Sequence, residues 1–207
     1  MASWDAIKRI STTLVTVLQR HVDTASLTPS PSVLLVTPKS FQTLDTTLDP
    51  VISVYLYRID ENREVRNRMR SRDAAGNELG PKINVDLWYL ITAWAARPTE
   101  EPVSDETAAG EEHEMVGLVL QGLAAASELG AAELDDDPLT RTFSDEDGVQ
   151  IILESLPTDE HARIWDASEL GYRLSLIYRV RLIGIDPVRS TTAPRVGSAT
   201  LRFGEAT

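Results

Sequence analysis

Three long stretches of period-two alternation dominate the pattern of apolar and polar positions. Over residues 51–60, Ile52, Val54 and Leu56 fall on one face and Ser53, Tyr55, Tyr57 and Ile59 on the other. Both faces are largely apolar or aromatic, which predicts a central strand. Over 83–93, Ile83, Val85, Leu87, Tyr89, Ile91 and Ala93 alternate with Asn84, Asp86, Trp88, Leu90 and Thr92, predicting a second. Over 172–185, Tyr172, Leu174, Leu176, Tyr178, Val180 and Leu182 oppose Arg173, Ser175, Arg179 and Arg181. Residues 149–155 form a further strand, 33–37 a short edge strand among prolines, and 199–203 a weak strand near the C-terminus.

Helical spacing marks three segments. Ile7, Ile10, Leu14, Val17 and Leu18 recur on one face of a helix running from Ser3, its cap, to about His21, with Asp5 in its first turn and Trp4 packed at its start. Residues 111–128 make a second helix, with Val116, Val119, Leu120 and Leu123 as its buried stripe and Gly130 as its stop. Residues 157–165 make a third, capped by Thr158. Residues 97–110 are Pro/Glu-rich and read as a flexible connector, and 134–147 as an acidic loop. Helices interspersed with hairpin-like strands predict an α+β fold: a mixed, mostly antiparallel sheet packed by helices.

With 207 residues, one domain with a tail is the first expectation, divided at 1–187 and 188–207. The chain has no cysteine, so disulfides and thiolate chemistry are excluded. No apolar run reaches a membrane-spanning length of about 18 residues, and the N-terminus lacks signal-peptide character. The net charge of -12 argues against nonspecific nucleic-acid binding. That charge is uneven. Residues 100–147 hold fifteen acids and one arginine, whereas Arg58, Arg63, Arg66, Arg68, Arg70 and Arg72 lie within fifteen residues. Extended chain would project Arg66, Arg68, Arg70 and Arg72 from one side. Such a strip fits a solvated loop or a docking surface for an acidic protein. It lacks the interleaved aromatics of a nucleic-acid groove.

Catalytic patterns are missing. His21, His113 and His161 sit on separate predicted helices, without the spacing of a metal helix. Glu112, His113 and Glu114 are consecutive and fan around their helix. The acidic runs 135–137 and 145–147 lack the twelve-residue calcium pattern. Phosphate-binding glycine loops and the nucleophile elbow are absent. No catalytic, cofactor or metal residue is assigned.

The combination of these segments resembles a known family. It comprises the N-terminal amphipathic helix, YLYRIDEN at 55–62 with RNR at 66–68, INVDLWYLITAW at 83–94, EHEMVGLVLQGL at 112–123, IILESLPTDEHARIW at 151–165 and YRLSLIYRVRLI at 172–183. From about Ile7 to Ile185 it is similar to the cap, or tail-terminator, proteins of phage-tail-like extracellular contractile injection systems. These are of the Photorhabdus virulence cassette and antifeeding prophage kind. The resemblance implies a tail-terminator-like fold and a structural protein rather than an enzyme, with no cofactor. It implies a homohexameric ring on the distal end of the inner tube and sheath that terminates their polymerisation. The implied partners are further copies of itself, the tube protein and the sheath protein, without nucleic acid or a direct membrane span. Synthesis in the bacterial cytoplasm and residence in the injection particle, inside or outside the cell, follow. The segment from 188 is short beside the C-terminal extension of longer members. On this reading Arg63, Arg66, Arg68, Arg70 and Arg72 are the expected subunit or partner contacts. The alternatives are a baseplate or tube–sheath adaptor of the same machine, and a stand-alone enzyme with its site in the 97–110 and 134–148 loops.

Overall fold

In the computed structural model, residues 4–41, 49–65, 82–96, 104–134, 142, 143, 145, 147–182, 184 and 185 are described. They build a six-stranded sheet in the order β1-β2-β3-β6-β5-β4. In chain order the elements are α1 (Ala6–Ala25), β1 (Ser32–Leu35), α2 (Pro38–Phe41), β2 (Val51–Glu61), a 3-10 turn (Arg63–Val65), β3 (Val85–Trp94) and α3 (Asp105–Ala125). There follow β4 (Glu128–Gly130), α4 (Ala131–Leu134), β5 (Gly148–Glu154), α5 (Thr158–Ala167) and β6 (Ser175–Leu182). β1 pairs in parallel with β2, and every other neighbouring pair is antiparallel. The fold is α+β, as the alternation predicts.

Alternation sorts the sheet into two apolar faces. Ile52, Val54, Leu87, Tyr89, Ile91 and Val180 meet Ile10, Leu14 and Leu18 of α1 and Met115, Val119 and Leu123 of α3. The β-branched residues of α1 give it little intrinsic helicity, so this packing holds it. Ser11 joins the layers, bonding the buried Tyr89 hydroxyl at 2.9 Å. On the opposite face Val51, Leu90, Trp94 and Ile177 pack around Trp165 of α5. Where α1 and α3 meet, a Cβ on Gly122 would lie 2.9 Å from the His21 ring and 3.3 Å from its Cβ. We expect Gly122→Ala to lower the unfolding free energy by about 1–3 kcal/mol through overpacking, read from urea midpoints.

Several local expectations change. α3 begins at Asp105, not 111, because Ser104 caps it: its hydroxyl accepts the Thr107 N–H at 3.2 Å. Residues 105–110 of the expected connector are therefore helix. The buried stripe of α3 is Ala108, Met115, Val119, Gly122 and Leu123, while Leu120 is exposed. Gly130 is not a helix stop but the end of β4, a strand too short for periodicity to reveal. Trp4 does not pack; it is 85% exposed. Asp5 stands at the N-cap position of α1, yet its carboxylate turns to Arg9 (2.9 Å) and Thr142 instead of the backbone. The bond from Arg9, opposed by burial and helped by Thr142, holds its pKa below the usual value. Ser3 lies outside the described residues. Pro157, not Thr158, occupies the cap position of α5. β6 starts at Ser175, leaving Tyr172 and Leu174 exposed ahead of it.

Candidate functional site

The arginine-rich linker leaves the sheet after Glu61 and returns at Lys82, and both roots are fixed. Asn62 is buried, and its N–H bonds the Asn84 carbonyl at 2.8 Å. Its side-chain amide donates to Asp86 Oδ1 at 3.0 Å, and its Oδ1 accepts the Glu64 N–H at 3.1 Å. That last bond is an Asx turn, which tightens Arg63–Val65 into a 3-10 turn. At the return, Ile83 and Ile185 exchange two backbone bonds of 2.9 and 2.8 Å. Gly184, at φ +59°, makes the bend before Ile185, in a region that glycine enters without strain. Of the expected contact residues, Arg63 is placed, exposed, at the first root. Arg66, Arg68, Arg70 and Arg72 lie outside the described residues.

A charged patch adjoins this root. The register of β2 against β3 slips between Leu56 and Arg58. Beyond that bulge the alternation reverses. Ile59 is set opposite Leu87, on the face of Ile52 rather than of Tyr55, and is half exposed. Arg58 instead lies opposite Trp88, and Trp88 opposite Arg179. The two guanidinium groups stand 5.2 and 5.5 Å from the Trp88 ring centre. Carboxylates hold the cations: Asp60 for Arg58 (2.7 Å), Glu154 for Arg179 (2.6 Å) and Glu64 for Arg181 (2.5 Å), with Asp86 3.6 Å from Arg179. The bond to Asp60 raises the pKa of Arg58, and the bond to Glu64 that of Arg181, in each case against burial.

The more exposed pairs, Arg58 with Asp60 and Arg181 with Glu64, contribute about 0–1 kcal/mol each, while the pairs of Arg179 are largely buried. Buried donors that meet no acceptor among the described residues, here Tyr57 Oη, Trp88 Nε1 and Arg179 Nε, cost about 1–3 kcal/mol apiece. Burial pushes the Tyr57 hydroxyl up to about 12, so it stays a donor. The arrangement therefore orients side chains and the linker root more than it stabilises the fold. Alternation alone puts Arg179 and Arg181 on one face. The bulge that brings Arg58 beside them left no mark in the sequence.

A second polar cluster ties α5 to the sheet. Ser175 Oγ accepts Trp165 Nε1–H at 3.2 Å, donates to the Arg173 carbonyl at 3.2 Å and lies 2.6 Å from His161 Nε2. With its hydrogen given to Arg173, Oγ accepts from His161, which sets the Nε2–H tautomer. Burial lowers the His161 pKa from its ordinary 6.5. The unfolded chain then binds the proton more readily, so this contribution is full above about pH 6.5 and declines as pH falls below it. We expect the urea midpoint to drop between pH 7.5 and 5.5, and His161→Gln to flatten the drop. His21 and His113 lie on α1 and α3. Among the described residues, no three His, Cys, Asp or Glu side chains gather as a metal site. No described helix is long and apolar enough to cross a membrane. A cleft beside the start of α1 is lined by Trp4, Lys8, Thr12 and Leu134, with Asp5 and Arg9 paired to each other.

Comparison with known proteins bears on what such a surface serves. A family model described as the Pvc16 N-terminal domain matches residues 9–198. No curated protein matches. Among solved structures, one similar chain is described as the PVC sheath/tube terminator, in extended state, of an extracellular contractile injection system. It is 19% identical with a TM-score of 0.53, and the match covers 95% of this chain and 65% of that one. Another is the tube terminating cap of the anti-feeding prophage, 21% identical with a TM-score of 0.56, covering 91% and 59%. At these identities the likeness is one of fold, and this chain spans less than two thirds of either terminator.

Proposed function

Because the chain belongs to the Pvc16 N-terminal domain family, we propose that it is a structural cap of a contractile injection system. It sits on the end of the inner tube and sheath and stops their growth. The observation that carries this reading is the shared fold, over nine tenths of the chain, with two proteins described as terminators of such particles. Its partners are then the tube protein, the sheath protein and further copies of itself. It works by contact and turns over no substrate, and it resides in the particle, whether that is held in the cell or released. A homohexameric ring fits this role: one heterologous interface repeated about an axis closes on itself.

The linker supplies one side of that interface. Arg63, Arg66, Arg68, Arg70 and Arg72 seat against acidic surface on a neighbouring subunit. The fixed roots at Asn62 and Ile83 support this, since a docking strip gains from a rigid base. Exposed charge pairs orient more than they bind, so apolar contacts supply most of the adhesion. Exposed Ile59 and Ile83 stand at this end of the sheet.

Electron microscopy of particles assembled without this protein tests the reading. Overlong or unsheathed tubes are expected. Particles of ordinary length and normal sheath would overturn it, and loss at the spike end alone would favour a baseplate adaptor.

A further inference from the structure

Among the described residues, part of one edge of β2 is bare. β1 pairs only with Val51–Val54, and the bond from Val36 N–H to the Val54 carbonyl (3.2 Å) is the last rung on that side. From Tyr55 to Asp60 the outer edge meets no strand among the described residues, while the inner edge stays paired with β3. Even-numbered residues face β1 before the bulge, as Val54 does. After it they face β3, as the Asn62 N–H bond to Asn84 indicates. Leu56 and Ile59 therefore turn their backbone groups outward.

The sheet's outermost strand is treated differently. There the Gln19 amide accepts Val33 N–H at 2.7 Å and donates to the Pro31 carbonyl at 3.2 Å, standing in for a neighbouring strand. Bare β edges are templates for extended chain. The bulge and the exposed Arg58 restrict what can pair, and half-exposed Ile59 offers an apolar contact beside the open rungs.

We propose that this edge receives an extended strand from the C-terminal segment, residues 186–207, of a second copy of the chain. That segment leaves from Ile185, whose bridge to Ile83 puts it at the same end of the sheet as the close of β2. Residues 199–203, Ala-Thr-Leu-Arg-Phe, alternate apolar and polar as a half-buried strand does. The 14 residues from 186 to 199 span at most about 48 Å. A globular protomer of this size is about 40 Å across, so the neighbour is within reach. Passing a strand from each copy to the next is a head-to-tail contact of the kind that closes rings. The inference thus rests on the cap reading.

The absence of native cysteine makes a clean test. The full chain carrying Ile59→Cys with Leu201→Cys, mounted on tube–sheath particles, should give disulfide-linked multimers on non-reducing gels. Either single variant should not. An internal disulfide within one chain would place the segment on its own edge and overturn the proposal. Capped particles of normal length without any cross-link would overturn it too, leaving the cap reading intact. Absence of the protein from particles would defeat both. Ile59→Pro, which removes an outward N–H without touching the β3 ladder, should abolish the ring while the circular dichroism spectrum is retained. An unaltered ring in that variant would also overturn the proposal.

Discussion

Charge reversal by Arg66→Glu, Arg68→Glu and Arg70→Glu together should abolish capping, with the fold left standing. Three linker cations become three anions on a chain already at -12. Attraction to an acidic neighbour turns into repulsion, and like-charge juxtaposition across an interface costs several kcal/mol. A charge change away from packed or paired features is otherwise within about 0.5 kcal/mol of neutral. For a chain of this length the thermal midpoint should move by no more than about 5 °C. Particle lengths measured by electron microscopy, beside a melting curve of the purified variant, separate the two effects. Normal particle lengths with the triple variant would remove the linker from the interface.

Trp165→Ala should produce the largest loss of stability, about 3–5 kcal/mol. Trp165 is 1% exposed and anchors α5 on a face where, among the described residues, that helix is the only one packed into the second core. Its ring meets Trp94 edge-on, with centres 6.2 Å apart, and Trp94 Nε1 is held by Ser53 Oγ at 2.8 Å. Truncation empties the centre of this second core and strips Ser175 of one donor. On the opposite face two long helices share the load, so a comparable truncation there leaves more neighbours in place. Urea unfolding gives the magnitude. Trp165→Phe should retain most of the packing and lose only the Ser175 bond, so its midpoint should fall between the two.

Regular alternation and helical spacing carried much of the fold. β2, β3, β5 and β6 are long enough for period two to stand out, and α1 presents an unbroken apolar face. What stayed hidden was set by single residues or by pairing. Composition between 97 and 110 suggests loop, yet Ser104 followed by Asp105 and Glu106 is a helix start whose apolar face begins only at Ala108. β4 is three residues and exists because β5 lies beside it. The bulge between Leu56 and Arg58 depends on how β2 sits against β3, and no local residue announces it. That one slip explains both the misplaced face of Ile59 and the stacking of Arg58 on Trp88. The arginine count was visible at once. Its rigid footing in Asn62, Asn84 and Asp86 was not, because those residues alternate like any strand.

The pairing of Ile83 with Ile185 has a mechanical consequence. Two lengths of chain, one returning from the linker and one leaving toward the C-terminus, meet at this point of attachment. Tension on either is delivered to the same two bonds and then spread along β3 and β6, whose ladder runs seven residue pairs from Asp86 to Thr92. A tug along those strands shears many rungs together, whereas a tug across them would peel one at a time. A chain moored this way keeps β3 and β6 paired under a load that would part a shorter ladder.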